Sequence, residues 1–126
     1  MPQGSTTLHE SEEQLTVATR DMHRAIVSLM EELEAVDWYG QRADATQDGE
    51  LREILLHNRA EEQEHAAMVL EWIRRHDRTF EAKLREYLFT EGSIVGREKA
   101  LEQGDGASPN GSRSPVRLGS LREENR

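Results

Sequence analysis

Cysteine is absent from this chain, which rules out disulfide bonds and thiolate metal ligands together and suits a reducing interior. Aromatic residues are scarce, at 5%, and favour surface-rich helices over a sheet sandwich. Basic residues are in deficit: 16 Lys and Arg face 25 Asp and Glu, for a net charge of −9. No basic face exists to displace the counterions of a nucleic acid, so that partner class is excluded and a cation is the more natural ligand. Nor is there a run approaching the roughly 20 apolar residues of a membrane span, or a signal peptide's apolar core near the N-terminus. These absences lead to the expectation of a soluble, cytoplasmic protein with neither membrane nor nucleic acid as partner.

What is present is helix-forming material. Charged residues make up 33% of the 126, and the Leu-, Ala-, Glu- and Arg-rich usage favours helices. The length allows one small domain, which buries a modest fraction of its surface, so association with copies of itself is one way to complete the core. Residues 1–7 are polar and expected to be disordered. Ser11-Glu12-Glu13-Gln14 has the form of a capping box. From there Leu15, Met22, Ile26, Leu29, Leu33 and Val36 recur at steps of seven, four, three, four and three. This heptad-like stripe meets no Pro or Gly before Gly40, and predicts one long helix ending near Tyr39 or shortly after.

Residues 43–49 carry turn chemistry, with Thr46 or Asp48 as the cap of the next helix. A second long helix is predicted from about Glu50 to His76, with Leu51, Leu55, Asn58, Glu62, His65, Val69 and Trp72 at its periodic positions. Asp77 reads as a break and a new cap. A shorter helix follows from about Arg78 to Phe89, stopped by Gly92, with one further short helical segment over 93–101. From Gly104 the composition turns to Gly, Ser and Pro, a flexible linker that builds no core. The predicted organisation is therefore a polar stretch at 1–7, a helical domain at 8–101, and a linker with tail at 102–126. The fold class is all-α, an antiparallel two-helix hairpin plus a short C-terminal helix.

Chemistry enters where polar residues interrupt the apolar stripes. Glu62 and His65 stand three apart, so they project from one face of the second helix, the face that also carries Leu55, Val69 and Trp72. Glu32 sits similarly on the first helix, between Leu29 and Val36. A carboxylate taken from water into such a place is costly unless a cation or a hydrogen-bonded partner compensates it. Glu-x-x-His on one helix with a Glu on another is half of the di-iron carboxylate site of ferritin-like bundles. Carboxylates are hard anionic donors that bridge two metals, and a neutral imidazole caps each. No other histidine has a Glu three residues before it, so the chain supplies half a site. Two copies related by a two-fold axis would supply both halves and turn two hairpins into a four-helix arrangement. The residues equally admit a purely structural reading, in which Glu32, Glu62 and His65 form a satisfied polar layer that fixes helix register.

The runs His23-Arg24-Ala25-Ile26-Val27-Ser28 and Met30 through Tyr39 resemble the first helix of the encapsulated ferritins. Leu56 through Met68, with Glu71-Trp72, resembles their second helix, and Tyr87-Leu88-Phe89-Thr90-Glu91-Gly92 the segment that follows. The resemblance implies a ferroxidase that oxidises Fe(II) with dioxygen at a di-iron centre shared between two subunits. Glu32, Glu62 and His65 of each would be the ligands, and dimers would build a ring, typically a decamer. It further implies Glu31 and Glu34 along a metal entry route, calcium or other divalent cations at entry or surface sites, and Trp38 and Tyr39 beside the centre. On the residues alone a solvated acidic face is the better account of Glu31 and Glu34, as it is of the His57, Glu61 and Glu64 cluster on the second helix, where weak surface metal binding is the alternative. His9, His23 and His76 have no assigned role, although His76 suits a helix end.

Leu118-Gly119-Ser120-Leu121, after its Gly/Ser/Pro linker, looks like the peptide that docks cargo inside an encapsulin shell, weak singly and strengthened by many copies. That places the protein in an encapsulin lumen, the implied site of mineral storage, since a hairpin this short encloses no mineral. Two other functions use the same residues. A rubrerythrin-like peroxide reductase has similar ligands but usually a cysteine-rich iron centre as well. A non-catalytic helical scaffold would use the polar layer only to specify dimerisation.

Overall fold

The computed structural model of the chain describes residues 6–107. The expectations placed on residues 1–5 and on 108–126, the segment at 118–121 included, lie outside them. Every regular element among the described residues is helical: a 3₁₀ turn at Glu12–Gln14, then α1 (Val17–Ala45), α2 (Gly49–His76), α3 (Arg78–Tyr87) and α4 (Ile94–Ala107). None of these helices is long and apolar enough to cross a membrane. The chain divides between Arg78 and Thr79 into two compact units.

In the first unit, α1 starts later than the sequence pattern predicts. Ser11 makes no side-chain cap, so the box does not form, and the segment it opens is only a 3₁₀ turn closed by the Gln14 amide on the Ser11 carbonyl at 3.0 Å. A helix running on from Ser11 would have to carry Thr16 and Val17, two β-branched residues that are stiff at χ1. Thr16 instead offers its own hydroxyl as a cap, accepting from the Thr19 amide at 3.0 Å, and this local bond sets the start. At its other end α1 passes straight through Gly40 to Ala45. Ala43 to Ala45, expected in the turn, are therefore helical. Gly40 does not stop the helix because the missing side chain is used: a Cβ there would lie 3.1 Å from Nε of Arg59.

Of the two candidate caps for α2, Asp48 does the work, accepting from the amides of Glu50 and Leu51 at 3.0 and 3.1 Å. Thr46 supports it by accepting from the Asp48 amide at 3.2 Å. Two α2 arginines reach back to α1's main chain. Arg52 donates from Nε to the Ala43 carbonyl at 3.0 Å and from its outer nitrogen to the Thr46 carbonyl. Seven residues on, Arg59 donates from Nε to the Val36 carbonyl at 3.2 Å. Thus the start of α2 meets the end of α1, and later α2 residues meet earlier α1 residues.

Near the end of α2, Glu71 accepts from Arg74 and Arg75 at 2.7–2.8 Å, and these guanidinium groups, Arg74 first, hold its carboxyl down at about 2. His76 stacks on Trp72 with centroids 3.9 Å apart. Its Nδ1 lies 2.8 Å from the Trp72 carbonyl, and since a carbonyl only accepts, Nδ1 carries the proton.

Little apolar surface is hidden. Among the described residues only Ala43, Ala66 and Ile73 are buried hydrophobics, whereas Ile26, Met30 and Leu33 on α1 and Ile54 and Met68 on α2 stay exposed.

In the second unit, α3 carries the Arg85–Glu81 pair at 2.7 Å and the Lys83–Glu86 pair at 3.3 Å. It ends before the predicted Phe89. Phe89 itself takes φ +62°, and Gly92 follows at +86°. The left-handed region is ordinary for glycine and costly for a bulky residue, yet Phe89 is also wholly exposed. Ser93 then opens α4 by accepting from the Gly96 amide at 2.9 Å, and Arg97 ties α4 to the Glu86 carbonyl at 2.9 Å. α4 runs on to Ala107, through the first residues assigned to the linker, because no proline stands between Ile94 and position 109 to end it.

The Asp48 cap yields a test. Asp48→Ala leaves two amides of the first α2 turn without their acceptor and should cost about 1 kcal/mol, read as a lower midpoint in denaturant with an unchanged slope.

Candidate metal centre

Each turn of α2 that carries Glu62 carries His65 on the same face, and the packing of α1 brings Glu32 opposite them. A carboxylate oxygen from each Glu and a ring nitrogen of His65 all lie within 4.8 Å of one another. Nδ1 of His65 stands 3.2 Å from Oε1 of Glu62 and 3.8 Å from Oε1 of Glu32. The site is open: the two Glu side chains are 25% accessible and the imidazole 49%.

Two carboxylates this close repel when both are ionised. The cluster relieves that with protons. Glu32 is pushed above the usual carboxylate range, chiefly by its hydrogen bond to Glu62, then by burial and by the Glu62 charge. Glu62 is lowered by the same bond and by that to His65. The His65 imidazole is raised, mainly because Glu62 accepts from it. A divalent cation would replace those protons. Two hard oxygen donors with one imidazole suit Fe(II), Mn(II) or Zn(II) better than calcium or magnesium, which favour all-oxygen shells. Three side chains leave the coordination sphere of such an ion unfilled.

The remaining sequence candidates lie outside this cluster. Glu31 and Glu34 are exposed on α1, and Glu31 acts on Glu32 only through its charge. The rings of Trp38 and Tyr39 face the Arg42 guanidinium, at 5.9 and 5.6 Å, a partner the sequence reading did not assign. His57 pairs with Glu61 at 3.2 Å on an exposed face, while Glu64 is exposed. The residues the sequence reading missed are Arg52 and Arg59. A helical arginine ordinarily reads as solvated surface, and the only signal for Arg59 was a glycine inside a helical pattern.

A family model described as EncFtn-like matches residues 7–91. The encapsulated ferritin-like protein of Rhodospirillum rubrum is 53% identical over 119 residues, 94% of this chain and 85% of that protein. A ferritin-like protein of Thermotoga maritima is 50% identical over 96 residues, 76% of this chain and 84% of that one. A Nitrosomonas europaea protein of known crystal structure is 60% identical, with a TM-score of 0.67, over 69% of this chain and 96% of that chain.

The proton on His65 provides a check. A histidine raised in the folded state contributes stability below its unfolded value of about 6.5, and loses it as pH rises through the higher folded value. In the metal-free protein the His65 ring should titrate by NMR with a midpoint above 6.5, and Glu62→Ala should bring the midpoint down. A wild-type midpoint at or below the ordinary value would show that Glu62 does not hold this proton.

Proposed function

This chain belongs to the EncFtn-like family, and on that premise we propose that it is a ferroxidase whose di-iron site is shared between two copies. The observation that carries the reading is a half-set of ligands, Glu32, Glu62 and His65, gathered within 4.8 Å and left open on one side. Two such sets facing each other across a two-fold axis make the four-carboxylate, two-histidine site of ferritin-like bundles. The exposed Ile26, Met30 and Leu33 stripe beside Glu32 supports the same pairing, since apolar area in that position favours burial against a second hairpin. In this arrangement two antiparallel hairpins complete a four-helix unit, and further association closes a ring, ten copies being the expectation.

Iron is the substrate. Glu32 and Glu62 hold and bridge two Fe(II) ions, and their negative charge favours the ferric product over the ferrous reactant. A proton held on the ligating nitrogen of His65 or on the Glu32 carboxylate must leave before that group can bind, so loading becomes coupled to proton release as pH falls. Each Fe(II) would give up one electron, and dioxygen would take both with two protons from water, leaving as hydrogen peroxide. Glu31 and Glu34 gather cations toward the centre by their charge, and Trp38 and Tyr39 shield its rim. The Rhodospirillum rubrum relative is by name an encapsulated protein. For this chain we extend that to an encapsulin shell reached through residues 118–121, with the ferric product stored in the lumen.

Anaerobic titration with Fe(II), followed by air, tests the proposal by ultraviolet absorbance and native mass. About one iron per chain, half of a di-iron site each, should bind in an assembly built from dimers. A ferric signal should rise faster than in a protein-free control, and Glu62→Ala should reduce it to that control. Absence of a rapid signal in the wild-type protein would replace the enzyme with a metal-stabilised helical scaffold.

A further inference from the structure

We propose that Arg59 and Gly40 form a notch that sets the register of α2 against α1 at the metal centre, which makes Arg59 a positioning residue for Glu32, Glu62 and His65. The inference rests on the metal-centre reading above.

The Arg59 contact is unusual in its target. Nε donates at 3.2 Å to the Val36 carbonyl, which lies inside α1 and already serves the amide four residues on, that of Gly40. A carbonyl has two lone pairs, but a second donor reaches it only if the residue one turn ahead stands aside. Gly40 does so. A Cβ at position 40 would lie 3.1 Å from Nε, 3.6 Å from Cδ and 3.7 Å from Cζ of Arg59, tight against the stem and head of the guanidinium. That gives a physical reason for a glycine in the interior of a 29-residue helix, where alanine would otherwise serve better.

The spacing connects the notch to the ligands. Glu32, Val36 and Gly40 follow one another at four-residue steps on α1, and Arg59 precedes Glu62 by three on α2, so the Val36–Arg59 contact lies one turn from the centre on each helix and Gly40 one turn further. Sliding α2 along α1 by a single residue moves it about 1.5 Å. A metal site tolerates about 0.5 Å, so such a slide breaks the Arg59–Val36 bond and parts Glu32 from Glu62 and His65 together. Arg52 makes the corresponding contact at Ala43 and Thr46, beside the short connection that already limits sliding. Arg59 is the tie between that connection and the ligands.

The test uses the full chain with Co(II) as probe, because its visible absorption reports ligand geometry. Gly40→Ala, Arg59→Met, Arg59→Lys and the double variant Gly40→Ala/Arg59→Met are titrated, and the metal-free proteins are melted. Gly40→Ala should keep or raise the melting temperature yet weaken Co(II) binding about tenfold, the scale seen for residues that orient ligands, with an altered spectrum. Arg59→Met should weaken binding similarly and Arg59→Lys should not rescue it, since a lysine lacks the Nε–H. The double variant should bind no worse than Arg59→Met alone, because the hydrogen bond that the added methyl would disturb is already lost. Wild-type affinity and spectrum in both Gly40→Ala and Arg59→Met would overturn the notch while leaving the metal centre standing. Wild-type protein without Co(II) binding that depends on Glu62 would overturn the metal centre and the notch with it.

Discussion

Two long helices packed on each other hide one narrow strip apiece, and much of the first unit follows from that limit. Ala43, Ala66 and Ile73 are the only fully buried hydrophobics among the described residues, while Leu29, Val36, Leu55 and Val69 are half-buried along the strip between the helices. Directional contacts add to that strip: Thr16 and Asp48 at the helix starts, and Arg52 and Arg59 on the main chain of α1. Small side chains occupy two of the three buried positions, which lets the backbones approach closely enough for arginines to span from one helix to the carbonyls of the other.

The same limit explains why a cluster of ionisable groups is tolerable on an otherwise apolar stripe. In a large core, Glu32 would face a desolvation cost that its partners could not offset. Here the site stays partly wet, and protons shared among Glu32, Glu62 and His65 neutralise the repulsion that remains. Such a cluster is poised rather than satisfied: each proton it keeps is one that a cation can displace.

Much of this was legible in the sequence because period and ligand spacing are local properties. The long helices, the Glu62–His65 pair and the Glu32 opposite it follow from positions three, four and seven apart. What escaped depended on contacts between segments distant in sequence. Gly40 looks like a stop until Arg59, on another helix, is seen to fill its vacant side, so its local preference was overridden by a tertiary one. Ser11 looks like a cap until Thr16 is found to be the stronger local competitor. Arg42 beneath two rings and Arg52 at the turn carried no pattern, since an arginine every turn or so is ordinary on a charged helix. The sequence pattern predicts Phe89 as the last helical residue, and nothing in its neighbours announces a left-handed aromatic.

The ion pairs of the helices have a kinetic consequence. Glu71 with Arg74 and Arg75, Glu81 with Arg85, and Lys83 with Glu86 each join residues three or four apart, so these attractions are available as soon as a single turn has formed. Segments of that kind gain structure on the submicrosecond scale of isolated helices, before any distant residue is met. The contacts that discriminate between alternative pairings of the helices, Arg59 with Val36 and His65 with Glu32, close much larger loops and are won late. The order of assembly is thus written into the range of its electrostatics, with the helices ready first and the arrangement of the carboxylates decided last.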